Sequence, residues 1–265
     1  MTCFLDSSTE LPVHADFLRR VARRSNRKVR TKIFTTNYDK CFEQAGSAGR
    51  FVVIDGFSHM LPQTFDASYF GYDIVQRDEH TDSPDYISNV FHLYKMHGSV
   101  DWTRHPETKE ISKTETPENP VLIYPRHTKY ELAFEQPYLE MMSAFQAAIR
   151  KPNTGLIVVG FGFNDNHISE PILAAMRSNL NLKVVVCDPV LAPEKARSEG
   201  EKDWDGIAKT NQYLKKVQSL IENGDPRLAL LNGTFEDLVS VMPDILAETA
   251  LEKHLERVKR MAEAS

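Results

Sequence analysis

Short apolar runs bounded by turn residues alternate with amphipathic stretches along this chain. KIFTT (32–36) stops at NYD, and FVVI (51–54) stops at DG. FHLYKM (91–96), VLIY (121–124), LIVV (156–159), KVVVC (183–187) and LALL (228–231) continue the series. Runs this short, rich in β-branched and aromatic residues, predict strands. LIVV and KVVVC are apolar almost throughout, the pattern of strands buried on both faces.

The intervening segments predict helices. VHADFLRRVARR (13–24) puts Phe17, Leu18 and Val21 on one side. Pro137 suits a first helical turn, and Leu139, Met142, Phe145 and Ile149 follow at helical spacing. A helix is expected from about Ser169 to Leu180, with Ser169 as N-cap and Pro171 in its first turn. Ile207 to Ile221 is amphipathic and closes at Asn223-Gly224. FEDLVSVMPDIL (235–246) and residues 248–265 are the last two helices, the final one carrying Leu251, Leu255 and Val258 on one side. Residues 57–89 are irregular and too long for a plain connection, which marks an insertion or lid. Residues 104–120 read as a polar loop or hairpin, and 191–205 as a charged loop.

Buried strands alternating with helices imply an α/β fold: a Rossmann-like, mostly parallel sheet with helices on both faces. The expected organisation is one domain over 1–247, with 57–120 as an insertion and loop region, followed by the C-terminal helix. Ligands bind such sheets beyond the C-terminal ends of the strands.

Composition narrows the function classes. The 265 residues carry a net charge of −5, with no general pull toward nucleic acid or acidic membranes. The basic stretch RRVARRSNRKVRTK reads either as a solvated face or as a phosphate or partner surface. Cys3, Cys41 and Cys187 form no CxxC pair, so neither a zinc ribbon nor a disulfide framework is indicated. The widely spaced cysteines point to a reducing, cytoplasmic setting; no apolar run is long enough for a membrane span, and the first residues lack the order of a secretory signal.

Three strand exits carry chemistry. In TTNYD, Asn37 offers donor and acceptor and Asp39 an acceptor, suiting a hydroxyl- or amide-bearing ligand; an Asx turn with a helix cap is the alternative. In MHGSVD, His97 is a general base, a metal ligand or a polar residue closing a strand, and Gly98 permits a tight turn or close ligand approach. His92, His97, Asp101 and His105 are near in sequence. His92 and His97 differ by an odd number, however, so an uninterrupted strand puts them on opposite faces and weakens the metal reading. In LIVVGFGFNDNHI, Gly160 and Gly162 follow a strand and precede a helix, the context in which backbone can approach a phosphate or ribose. The third glycine of the usual dinucleotide fingerprint is absent. Asn164 and Asp165 either cap the helix or hold ribose hydroxyls.

TTNYD, MHGSVDW and VGFGFND, in this order, resemble the sirtuin-like domain of bacterial antiphage NAD hydrolases, with a Gln-Asn-x-Asp-like stretch, a His-Gly pair and a small-residue loop. The resemblance runs from about Lys32 to Asp237 and includes NGTFEDLV near the end. It implies NAD as substrate, Asn37 and His97 as catalytic residues with Asp39 of the same motif, and contacts from Thr35, Thr36 and Gly98. It also implies adenosine-side contacts from Gly160, Gly162, Asn164 and Asp165, with Asp188 as a looser match. Two departures stand out. The zinc module of protein-deacylating sirtuins is absent, which favours NAD consumption and implies no zinc. Nothing before Thr35 matches the family's Gly-rich pyrophosphate loop, and residues 1–31 hold no glycine. The first parallel strand is therefore expected to be missing, through truncation or supply by another chain.

On this reading the chain hydrolyses NAD in defence, within a homo-oligomer and with a separately encoded partner such as a HerA-type ATPase. Membrane and direct nucleic-acid binding are not expected. The rivals are a non-catalytic nucleotide-binding or scaffold subunit, and a metal-dependent nuclease or phosphoesterase using His97 and Asp101.

Overall fold

The structure is a computed structural model that describes residues 6, 9–22, 29–77, 84–122, 136–191 and 211–243. The helix expected over 248–265, most of the 191–205 loop and residues 123–124 of the VLIY run lie outside the described residues. The chain divides into two compact units at Tyr138 and Leu139, and the second ends at Met242. The fold is α/β and Rossmann-like: among the described residues, six α-helices accompany two parallel three-stranded sheets and two antiparallel hairpins.

In the first unit, β5 (Val90–Lys95) lies between β1 (Thr31–Thr35) and β2 (Val52–Ile54), parallel to both. All six β5 residues are buried, as a central strand requires. Its partners run one to a side, Thr31 opposite Phe91 through Thr35 opposite Lys95, and Val52 opposite Val90 through Ile54 opposite His92. Tyr94 stacks between Phe34 at 4.5 Å and Phe70 at 4.1 Å. Helix α1 (Pro12–Ala22) turns Leu18 and Val21 inward, and α2 (Cys41–Ala48) follows β1. Arg30 ties the approach to β1 to Asp73 through a 2.7 Å ion pair.

The stretch between β2 and β5 has its own elements. A 3-10 turn, Ala67–Gly71, is capped by Asp66, and β3 (Val75–Arg77) pairs antiparallel with β4 (Pro84–Tyr86). The polar 104–120 stretch contains the second strand of a hairpin, β6 (Trp102–Arg104) against β7 (Ile111–Lys113). Buried Trp102 packs on Phe57 at 5.2 Å and anchors that hairpin.

The second unit takes up α3 (Tyr138–Arg150) from its second residue and carries β8 (Gly155–Val159), β9 (Lys183–Cys187) and β10 (Leu228–Leu231), with β9 central. Helices α4 (Asn166–Ser178), α5 (Gln212–Glu222) and α6 (Phe235–Val241) complete it. Two expectations are corrected. LIVV is not buried on both faces: β8 is an outer strand of its sheet, and Ile157 is 41% exposed. Helix α4 starts at Asn166, not near Ser169. The Asp165 carboxylate accepts the His167 N–H at 3.1 Å and caps it, while Ser169 is fully buried and Pro171 lies inside the helix. Of the VLIY run, Leu122 bridges Gly98 rather than joining either sheet.

Candidate functional site

The first unit brings two of the three strand exits together. Because β1 and β5 are adjacent and parallel, their C-terminal ends open on the same edge of the sheet. The register ends with Thr35 opposite Lys95, so Asn37 and His97 each stand two residues beyond the last pair. The backbone holds the exits side by side: the Met96 N–H donates to Thr35 O at 2.8 Å, and the Val100 N–H to Tyr38 O at 3.1 Å.

Each exit has a defined local shape. The Thr35 hydroxyl oxygen accepts the Asn37 N–H at 3.1 Å, turning the chain and leaving Asn37 exposed. The Asp39 carboxylate accepts the Cys41 N–H at 3.0 Å, so it forms the Asx turn leading into α2. Thr36 lies between these turns and is half-buried, as is His97 in the turn after β5. Gly98 has φ +90°, and a Cβ there would lie 2.0 Å from Val121 O. The close approach that Gly98 permits is to the chain's own backbone.

Beneath these loops lies a polar cluster that the sequence reading missed. Lys95, Ser99 and Asp101 are all buried. The Lys95 ammonium donates to Asp39 O, to Ser99 Oγ at 3.0 Å and, at 3.4 Å, to Tyr38 O, and it pairs with Glu43 Oε1 at 3.1 Å. Ser99 Oγ donates to Asp101 Oδ1 at 2.5 Å, and the Lys40 ammonium stands 3.5 Å from Asp101 Oδ2. A buried ammonium costs several kcal/mol unless its protons are accepted, and here each has an acceptor. Burial raises the Glu43 carboxyl above its usual range, against the opposing pull of Lys95. Burial, with Asp39 close by, pushes the Cys41 thiol up to about 12, so it is no thiolate nucleophile at neutral pH. The signal for Lys95 was a lysine ending an otherwise apolar strand.

The metal-ligand constellation does not assemble. His92 is buried within β5 beside Phe70 and Tyr94. The carboxylate of Asp101 belongs to the cluster below the loops. His105 Nδ1 accepts the Glu107 and Thr108 N–H groups in the β6–β7 turn. Among the described residues, no three His, Cys, Asp or Glu side chains group to hold a metal ion.

The third exit belongs to the second unit. β8 and β9 are adjacent and parallel, with Val159 opposite Cys187, so Gly160 and Asp188 both stand one residue past the last pair. The Gly160 N–H donates to Cys187 O at 3.0 Å. Gly160, Gly162 and Phe163 all have φ between +53° and +63°. Among the described residues, nothing beyond its chain neighbours lies within 4 Å of where a Gly160 Cβ would be. Asn164 is exposed, Asp165 is the α4 cap, and Asp188 is buried at the β9 exit. Asn211 is a second residue the sequence reading missed. Its amide nitrogen donates to Gly162 O at 2.9 Å and Phe163 O at 3.2 Å, while its oxygen caps α5 by accepting from Tyr213 and Leu214.

Each unit is a parallel α/β sheet with loops gathered at its strand exits, one set bearing an Asn and a His and the other a glycine turn. The chain belongs to the SIR2-like domain family, whose match covers residues 31–216. SIR2-like domains use NAD, and the family is associated with NAD-dependent enzymatic activity. A comparison with curated proteins finds no match. Among the described residues, no helix is long and apolar enough to cross a membrane.

Proposed function

We propose that the chain is an NAD hydrolase of bacterial antiphage defence, cleaving NAD to nicotinamide and ADP-ribose with Asn37 and His97 as its catalytic pair. The supporting observation is that Asn37 and His97 occupy matching positions beyond two adjacent parallel strands. Hydrolysis breaks the bond between ribose C1′ and the nicotinamide nitrogen, whose electron pair leaves with nicotinamide. A water oxygen bonds to C1′ and gives up a proton. Positive charge grows on the ribose as the bond breaks, and fixed acceptors stabilise it more in the transition state than in the ground state. Asn37 orients the water or the ribose hydroxyls. His97 takes the proton. Asp39 supports the pair by holding the turn after Asn37 through the Cys41 N–H. Thr35, Thr36 and Gly98 are proposed as further contacts to the same end of the nucleotide. Gly160, Gly162, Asn164, Asp165 and Asp188 are proposed as contacts to the adenosine part of the nucleotide.

The reaction takes place in the cytoplasm, in a homo-oligomer switched on by a separately encoded protein such as a HerA-type ATPase. The test is nicotinamide release from NAD by the chain alone and with its genomic neighbour. His97→Ala lowers release by roughly 10²–10⁴-fold, the usual contribution of a positioned base. Asn37→Ala causes a loss of similar order without unfolding, since Asn37 is exposed. Unchanged release in both variants would refute the assignment. NAD binding without release in any mixture would instead mark a non-catalytic nucleotide-binding subunit.

A further inference from the structure

We propose that Lys95 is the latch holding the Asn37 and His97 loops in one fixed relation, and so a positioning residue for the reaction. The inference rests on the assignment of Asn37 and His97 above. Lys95 ends β5, two residues before His97, and its side chain is 3% exposed. Its ammonium reaches both loops at once. It donates to the carbonyl oxygens of Tyr38 and Asp39, the two residues after Asn37, and to Ser99 Oγ, two residues after His97. Its pairing with Glu43 fastens the same point to α2.

The four contacts fall on three places: two on the loop after β1, one on the loop after β5 and one on α2. Ser99 extends the latch by donating to Asp101, which stands beside Lys40 at the end of the Asn37 loop. Backbone bonds join the two exits at Thr35–Met96 and Tyr38–Val100, on either side of Asn37 and His97, and Ser99 Oγ also lies 3.4 Å from Tyr38 O. Lys95 adds a side-chain tie within that span. A bound ribose needs Asn37 and His97 placed together, and a misplacement of about 1 Å from a change away from the chemistry can cost roughly 10²-fold in rate.

The obvious variant, Lys95→Met, leaves the Glu43 carboxylate buried without its cation and can fail to fold. The informative variant is Lys95→Met with Glu43→Gln, which removes the buried charge together with its partner. Ser99→Ala is a second, gentler variant that removes one arm of the latch. Two measurements are made on each: amide hydrogen exchange, and steady-state nicotinamide release with the protein's activating partner present. In the folded double variant, exchange at 36–40 and at 96–100 should rise together by about tenfold or more, while β8 and β9 keep their protection. The kcat should fall roughly 10²-fold, with KM for NAD changing far less. Ser99→Ala should move both readouts the same way by a smaller factor.

A double variant that keeps wild-type kcat overturns the proposal, because Lys95 would then serve only to neutralise Glu43. Unchanged exchange in both loops, in the double variant and in Ser99→Ala, overturns it independently of any activity. Wild-type protein that releases no nicotinamide in any mixture sinks the NAD assignment alone, and the exchange measurement still decides whether the latch exists.

Discussion

The two units end their central strands in different ways. In the first, the β1 and β5 exits are held by buried charge: Lys95, Glu43, Ser99 and Asp101 tie the loops from below. In the second, the β8 and β9 exits are held by backbone conformation, with three positive-φ positions at Gly160, Gly162 and Phe163, and by one neutral clamp, Asn211. A charged latch fixes side chains in place at the cost of desolvation, and it suits groups that must act on a bond. A glycine turn leaves peptide groups open, and it suits contacts that recognise a ligand's backbone-facing hydroxyls or phosphates. On the proposed function, the contrast separates a reacting end from a recognising end by physical means rather than by motif.

The sharpest way to break that contrast is one methyl group at Gly98. A Cβ there would meet Val121 O at 2.0 Å and Leu122 Cα at 3.2 Å, at a φ of +90°. Both obstacles are backbone, so neither can swing away. Gly98→Ala should cost on the order of 4 kcal/mol or more in chemical denaturation, which belongs to the exceptional class of single substitutions. Wild-type stability in that variant would show that Gly98 is kept for ligand access instead.

Acid should divide the units next. Burial lowers the His92 imidazole to about 4, helped by Lys32 and opposed by Asp73. A folded value below the unfolded one of about 6.5 means the unfolded chain binds the proton more readily. Stability from a neutral His92 is therefore present above pH ~6.5 and is lost as pH falls toward ~4, by on the order of 3 kcal/mol. The β9 core offers no counterpart, since Val184, Val186 and Cys187 fill it. Exchange protection should fall in β1, β2 and β5 before β8 and β9 between those pH values, and His92→Phe should flatten the difference. Equal loss in both sheets would remove His92 as the cause.

How much of this was legible in the residues follows from the kind of signal each feature leaves. KIFTT, FVVI, FHLYKM, KVVVC and LALL announced strands because a buried parallel strand needs a short apolar run. LIVV announced the strand but not its place: an apolar run looks the same in the middle of a sheet as at its side, and only pairing shows that β9 is central. The start of α4 was misread because Ser169 before Glu170-Pro171 imitates a cap. Asp165 competes for that role four residues earlier, and a proline at the sixth helical position lacks only a bond that the helix here does without. Asn37, His97 and the two glycines were readable as strand exits. That the first two share an edge depends on β5 inserting between β1 and β2, which no local pattern encodes. Lys95 was passed over because a lysine ending a strand is ordinarily solvent-facing, and Asn211 because it fell inside the helix expected over 207–221. Their importance lies in partners 56 and 49 residues away along the chain.

Asn211 can be divided by chemistry. Its oxygen caps α5 and its nitrogen clamps the glycine loop. Asn211→Ala removes both and should cost about 2 kcal/mol. Asn211→Asp keeps the cap and loses the donor, so it should cost about half of that, while exchange at 160–164 rises as much as in the alanine variant. Loop exchange unchanged in Asn211→Asp would show that the backbone turns hold themselves.

The smallest effect expected is the same substitution that began the series, moved to the other exit. Gly160 has φ +60°, yet among the described residues nothing beyond its chain neighbours lies within 4 Å of its missing Cβ. Gly160→Ala therefore meets only the intrinsic penalty of a left-handed backbone, about 1 kcal/mol. A loop shaped for a ligand should show its cost in binding instead: the methyl would stand in the open space that a nucleotide needs, and titration with NAD should weaken by roughly tenfold or more, about 1.4 kcal/mol. Gly98→Ala should damage the fold and Gly160→Ala the affinity. A Gly160→Ala protein that binds NAD as the wild type does would mean that the open glycine turn serves the chain and not a ligand, and the distinction between the two exits would fail at its recognising end.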